Sequence, residues 1–173
     1  LPALTSDLFR LIGNDNLLSW LYDEPQALMT VVNYLRDDKL HYYRWLEQEN
    51  LLSLNNDNQW AGSGSPGFTN ALPTAGYTGQ TRLRDLWAWV ESQETSMVSP
   101  RMFERFFLPA MAEVAELFGL VYYGCCEPVH DRWEPIIRAI PLPFVADRAS
   151  VTPVFPPDAE VVALFDRLGT ALP

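Results

Sequence analysis

Three short apolar runs, residues 51–54, 86–90 and 120–123, each stop at a cluster of polar residues, and helical patterns lie between them. This alternation constrains the fold more than any other feature of the chain. Runs of four or five residues that are apolar at nearly every position read as strands buried on both faces, as in a parallel sheet covered by helices. Strand, polar loop and helix in repetition imply right-handed parallel units. The expected class is α/β, and either a barrel or an open doubly wound sheet would produce the pattern.

The helical patterns carry their own punctuation. Residues 15–22 read as a short helix with Asn14 or Asp15 near its cap. Asp23-Glu24-Pro25 opens a longer one to about residue 49, with acids at the positive end and Pro in the first turn. Leu28, Val32, Leu35, Tyr42 and Leu46 fall at helical spacing, and Lys39 interrupts them. Ser99 caps the next helix and Pro100 takes its first position. Its apolar stripe runs through Phe103, Phe107, Met111 and Val114; Pro109 predicts a kink and Gly119 an end. Residues 129–139 and 158–168 read as further helices and 151–155 as a strand. Residues 56–82, rich in Gly, Ser, Asn and Pro, read as a long loop. Such a loop is a surface excursion or an active-site loop, and its position after a strand end favours the latter. All 173 residues are expected to form one domain with a divergent tail over 142–173.

A net charge of -10 opposes binding to nucleic acid or to anionic membranes. No apolar run approaches the roughly 20 residues of a membrane span. Cys125 and Cys126 are the only cysteines, and sequence neighbours bridge poorly, which suggests a reduced, cytoplasmic protein. The start Leu1-Pro2-Ala3-Leu4 has no basic region of a signal peptide and no initiator Met, so upstream sequence is expected to be missing.

In a parallel barrel the strand C-termini share the face that holds the active site. Here those ends deliver Asn55 and Asp57, then Glu91, Gln93 and Glu94, then Tyr123, Cys125, Cys126 and Glu127. Glu91, Glu94 and Glu127 are the candidate catalytic acids and bases. Asn55, Asp57, Gln93, Tyr123 and His130 are candidates for holding a small-molecule substrate. Cys125 and Cys126 are candidate zinc ligands, since thiolates suit zinc and a zinc-bound thiol substrate becomes nucleophilic near neutral pH. The plainer alternative is that one thiol packs and the other is idle. Arg82 and Arg84 precede a strand, at the opposite end of the barrel or in the loop, and are lesser candidates for binding a substrate carboxylate. Residues 62–67 resemble a phosphate loop, but no helix follows them.

Several stretches resemble the uroporphyrinogen decarboxylase superfamily. They are Glu91-Ser92-Gln93-Glu94-Thr95, Ser99-Pro100-Arg101-Met102-Phe103, Phe107-Leu108-Pro109, and the run from Phe118 to Pro128 containing Gly124-Cys125-Cys126-Glu127. With Tyr22-Asp23-Glu24-Pro25 and Leu51-Leu52-Ser53-Leu54-Asn55-Asn56, the resemblance spans about residues 15 to 141. It implies a TIM barrel and two chemistries. The leading expectation is methyl transfer between a corrinoid carrier and a thiol with zinc, in which a corrinoid protein is a partner. The alternative is cofactor-free decarboxylation of a porphyrinogen. Cys125 matches the Cys of the methyltransferases' His-x-Cys pair, and Tyr123 stands where the His would be. A full barrel takes about 250 residues, so this chain is expected to supply part of one. Its open strand edges imply a homo-oligomer or completion by another chain segment. A non-catalytic partial barrel serving as a binding or scaffold subunit is the third expectation.

Overall fold

The computed structural model describes residues 3–63, 65–139, 150–153, 163 and 169–172. Backbone contacts divide the chain into two compact units, residues 1–139 and 140–173. The first unit opens with α1 (Leu4–Ser19) and α2 (Pro25–Gln48). The sequence predicts the first helix at 15–22. The helix in fact starts eleven residues earlier, because Leu4, Leu8 and Leu17 have a core to enter, and it is interrupted at Gly13. On α2, Leu28, Val32 and Tyr43 are buried. Lys39, which interrupts the apolar spacing, lies mostly out of solvent and pairs with Asp7 of α1. Burying the stem while pairing the ammonium is how a lysine enters such a face.

Residues 51–56 carry no strand, which corrects the expected buried strand over 51–54. The reason is local. The Asn55 side-chain amide makes both hydrogen bonds that a neighbouring backbone would make. Its Oδ1 accepts from the Trp87 N–H at 2.9 Å and its Nδ2 donates to the Trp87 carbonyl at 3.1 Å. The edge is thereby satisfied without a ladder, and Leu51 stays exposed. The expected loop over 56–82 contains a hairpin, β1 (Asp57–Gly62) paired antiparallel with β2 (Ser65–Phe68).

The centre of the unit is a parallel pair, β3 (Trp87–Val90) and β4 (Leu120–Tyr123), in register from Trp87↔Leu120 to Val90↔Tyr123. The connection between them carries α3 (Pro100–Phe106) and α4 (Leu108–Ala115). Ser99 caps α3, its hydroxyl accepting from the Met102 N–H at 3.4 Å. The kink expected at Pro109 appears as a break at Phe107, with Pro109 in the first turn of α4. Phe103, Phe107, Met111 and Val114 are fully buried together with Val90. Each such side chain contributes about 1.5–3 kcal/mol by leaving water.

Alternation along β3 sends Ala88 and Val90 to one face, where they are buried, and Trp87 and Trp89 to the other. The hairpin lies over that second face. Trp60 tilts onto Trp89 at 5.9 Å between ring centres, and Gly62 comes so near Tyr122 that a Cβ there would lie 2.3 Å from its ring. Gly119 lets β4 start tight against the segment ahead of β3: a Cβ would lie 2.0 Å from the Arg84 carbonyl oxygen. α5 (Trp133–Ala139) closes the unit and starts later than the expected residue 129, after a turn from Val129 to Arg132.

In the second unit, β5 (Ser150–Pro153) pairs parallel with β6 (Gly169–Leu172), Ser150 opposite Gly169. Apart from Ala163, which is helical, the helix expected over 158–168 lies outside the described residues. The chain is thus a mixed helix and strand protein with small parallel and antiparallel sheets, and the described residues form no closed barrel.

Candidate functional site

The two parallel strands end side by side, and the Gly124 N–H donates to the Val90 carbonyl at 2.9 Å just beyond them. Glu91 follows β3 directly. A single tight turn, Gln93–Thr95, then folds Glu94 back beside it. The first turn of α1 packs against this turn and supplies two hydroxyls. Ser6 Oγ lies 3.1 Å from Glu91 Oε1 and 2.6 Å from Glu94 Oε1. Thr5, fully buried, donates from Oγ1 to Glu94 Oε2 at 2.8 Å and lies 3.3 Å from the Glu91 carbonyl. No side chain caps α1, so these hydroxyls are free to serve the carboxyls.

A serine hydroxyl has one proton. With both carboxyls ionised it can satisfy only one, leaving its lone pair against the other charge. The bridged geometry is complete when one carboxyl is protonated. Glu91 is the better holder of that proton. It is 6% exposed, and burial raises its pKa first of all, opposed by the Gln93 N–H on Oε2 and by Ser6, and reinforced by the Glu94 and Glu127 charges. A buried carboxyl beside a second carboxyl is a standard way to keep a neutral acid for proton transfer.

A second ring fixes the first. Glu127 is buried, with Oε1 accepting from the Ser92 N–H at 3.0 Å and Oε2 from the Cys125 N–H at 3.2 Å. It therefore ties the two strand ends together. Ser92 Oγ meets the Tyr123 hydroxyl at 2.7 Å, and burial pushes the Tyr123 phenol up and keeps it neutral. Arg132, 2% exposed, donates from Nη1 to Thr95 Oγ1 at 3.1 Å and from Nη2 to the Thr95 and Val98 carbonyls. Its guanidinium also lies over the Phe103 ring at 4.9 Å.

The two thiols stand 3.7 Å apart, Cys126 exposed and Cys125 half-buried with its Sγ 3.3 Å from Ser63 Oγ. The adjacent Cys125 sulfur raises the Cys126 pKa, which keeps that thiol protonated. Glu127 turns both oxygens to backbone N–H groups, and His130 is exposed in the turn after β4. Among the described residues no three His, Cys, Asp or Glu side chains form a group able to hold a metal. Among the described residues the two thiols therefore lack the further protein ligand that a zinc site needs.

Of the candidates read from sequence, Glu91, Glu94, Glu127, Tyr123 and Cys125 gather at the two strand ends. Gln93 belongs there through its backbone N–H, its side chain being exposed. Asn55 does not: its amide is spent on Trp87, at the opposite end of β3. Asp57 is exposed at the start of the hairpin. Sequence reasoning missed Thr5, Ser6, Ser92 and Arg132. Only the i, i+4 pair Leu4 and Leu8 hinted that α1 begins early enough to carry Thr5 and Ser6 inward. No family model, curated protein or solved structure matches the chain.

Proposed function

We propose that the chain is an acid–base enzyme on the β/α scaffold of the uroporphyrinogen decarboxylase superfamily, and that Glu91 is its proton donor. The parallel β3–β4 unit with its polar C-terminal ends is consistent with a partial TIM barrel of that type. Of the two chemistries the resemblance implies, decarboxylation suits the site better. Methyl transfer with zinc would need a third ligand beyond the described residues. Decarboxylation needs an acid: the C–CO2 bond breaks, its electron pair stays on carbon, and a proton must arrive there. Glu91 delivers that proton, and the resulting carboxylate is reprotonated from water by way of the Glu94 carboxylate and the Ser6 hydroxyl between them. Glu94 is half-buried, so water reaches it. The observation that carries this reading is the Ser6 hydroxyl bridging two carboxyls, one of them buried.

The test is turnover in D2O of uroporphyrinogen and of simpler pyrrole-acetic acids. The expected result is one deuterium on carbon for each CO2 released, with Glu91→Gln losing about 10²-fold or more of the rate and keeping its fold. Wild-type rates in Glu91→Gln, or no CO2 from any of these acids, would contradict it.

A further inference from the structure

β3 has a second end, and the residues leading into it build a different kind of site. Arg82 is held rigidly there: Nε and Nη2 donate to Asp85 at 2.8 and 2.9 Å, and Nη2 also donates to Thr74 Oγ1 at 3.1 Å. Asp85 has no exposed surface and accepts in addition from the backbone N–H groups of Thr74 and Arg82, both at 3.0 Å. Arg82 Nη1 takes no part in these bonds. Arg82 borders a cavity of about 500 Å³ whose walls also carry Arg44 of α2 and Arg84, with Thr78 and Gln80 beside them and Leu117 among the apolar lining. Both Arg44 and Arg84 are exposed and have no ion-pair partner among the described residues. The single carboxylate in the wall, Glu47, is engaged, its Oε1 accepting from the Leu83 N–H at 2.7 Å.

In a chain with 12 Lys and Arg against 22 Asp and Glu, three arginines around one cavity is a concentration of positive charge. It stays net positive when buried Asp85 is counted with Glu47. The guanidiniums come from two segments, Arg44 from α2 and Arg82 with Arg84 from the stretch ahead of β3. A phosphate offers three guanidiniums more charge and more acceptor oxygens to share than a carboxylate does, and guanidinium forks pair well with phosphate oxygens. The apolar lining offers room for a carbon skeleton. We infer that this cavity binds a small organic phosphate, its phosphate held by Arg44, Arg82 and Arg84 and its carbon part against Leu117. The site lies at the end of β3 remote from Glu91, so it does not depend on the acid–base reading.

The test is calorimetry at low ionic strength, with phenyl phosphate, inorganic phosphate and benzoate as probes, alongside amide NMR spectra of the full chain. Phenyl phosphate is expected to bind saturably with a Kd below about 1 mM and to shift the signals of residues 78–84. Inorganic phosphate should bind more weakly at the same place. The Arg44→Gln/Arg84→Gln double variant changes two exposed side chains and should keep its melting temperature while losing about 100-fold in affinity. Glu91→Gln should bind as the wild type does. Lack of saturable binding, wild-type affinity in the double variant, shifts confined to other residues, or benzoate binding as tightly as phenyl phosphate would each overturn the inference.

Discussion

At Glu91, burial and two neighbouring carboxylates act in the same direction, favouring the neutral acid in the fold. In the unfolded chain a glutamate titrates near about 4.3. With the folded value raised above that, the contribution of Glu91 to stability is fully present below the unfolded value and is lost as pH rises through the folded one. Glu91→Gln removes this loss. The melting temperature of the variant relative to wild type should therefore climb between pH 4 and pH 8, as followed by circular dichroism. A constant or falling difference would remove the basis for a neutral Glu91. Asp85 has the opposite sign. Its hydrogen bonds with Arg82 first, and with Thr74, hold its carboxyl below the usual carboxylate range. That stability is present above about pH 3.9 and is lost as pH falls. Asp85→Ala should cost about 3 kcal/mol in urea unfolding at pH 7, since it strands buried donors. Its gap from wild type should narrow in strong acid. The acidic character of the strand ends was legible from Glu91, Glu94 and Glu127 alone. The partners that set their protonation were not, because Thr5 and Ser6 lie more than 80 residues away in sequence.

At the scale of elements, the parallel pair depends on how closely β4 can start against the chain ahead of β3. A Cβ at Gly119 would lie 2.0 Å from a backbone oxygen, which no side-chain rotation can relieve. Gly119→Ala should cost about 1–3 kcal/mol, read as a lower urea midpoint with unchanged slope; wild-type stability would show that the approach is looser than described. Strands β3 and β4, helix α2 and the Ser99 cap were legible because each has a strong local signal: apolar runs, helical spacing, and a capping residue followed by proline. The run at residues 51–54 has the same local signal and forms no strand, because the decision lay with Asn55, whose amide occupies the edge of β3. The hairpin was hidden for a different reason. Residues 57–68 are rich in Gly and Ser, and their pairing is secured by contact of Trp60 and Gly62 with the aromatic face of the sheet.

On the scale of the whole molecule, α1, the end of β3 and the turn after it must meet for the proposed chemistry to exist. No described helix is long and apolar enough to cross a membrane, and the strong negative charge makes an electropositive surface for nucleic acid a poor fit. Of the three strand ends expected to share one mouth, two do, and the third is replaced by the first turn of α1. The alternation of strands and helices could reveal the first two because it repeats; an N-terminal helix folding back onto them leaves no periodic trace. Their meeting is tested most directly by the titration of Glu91 itself, followed through the carboxyl carbon of 13C-labelled glutamate, in wild type and in Ser6→Ala and Glu94→Gln. The expected result is a Glu91 midpoint above about 4.3 that shifts in both variants, downward in Glu94→Gln as the neighbouring charge is removed. A midpoint at or below that value, indifferent to both substitutions, would mean that the three segments do not share a proton.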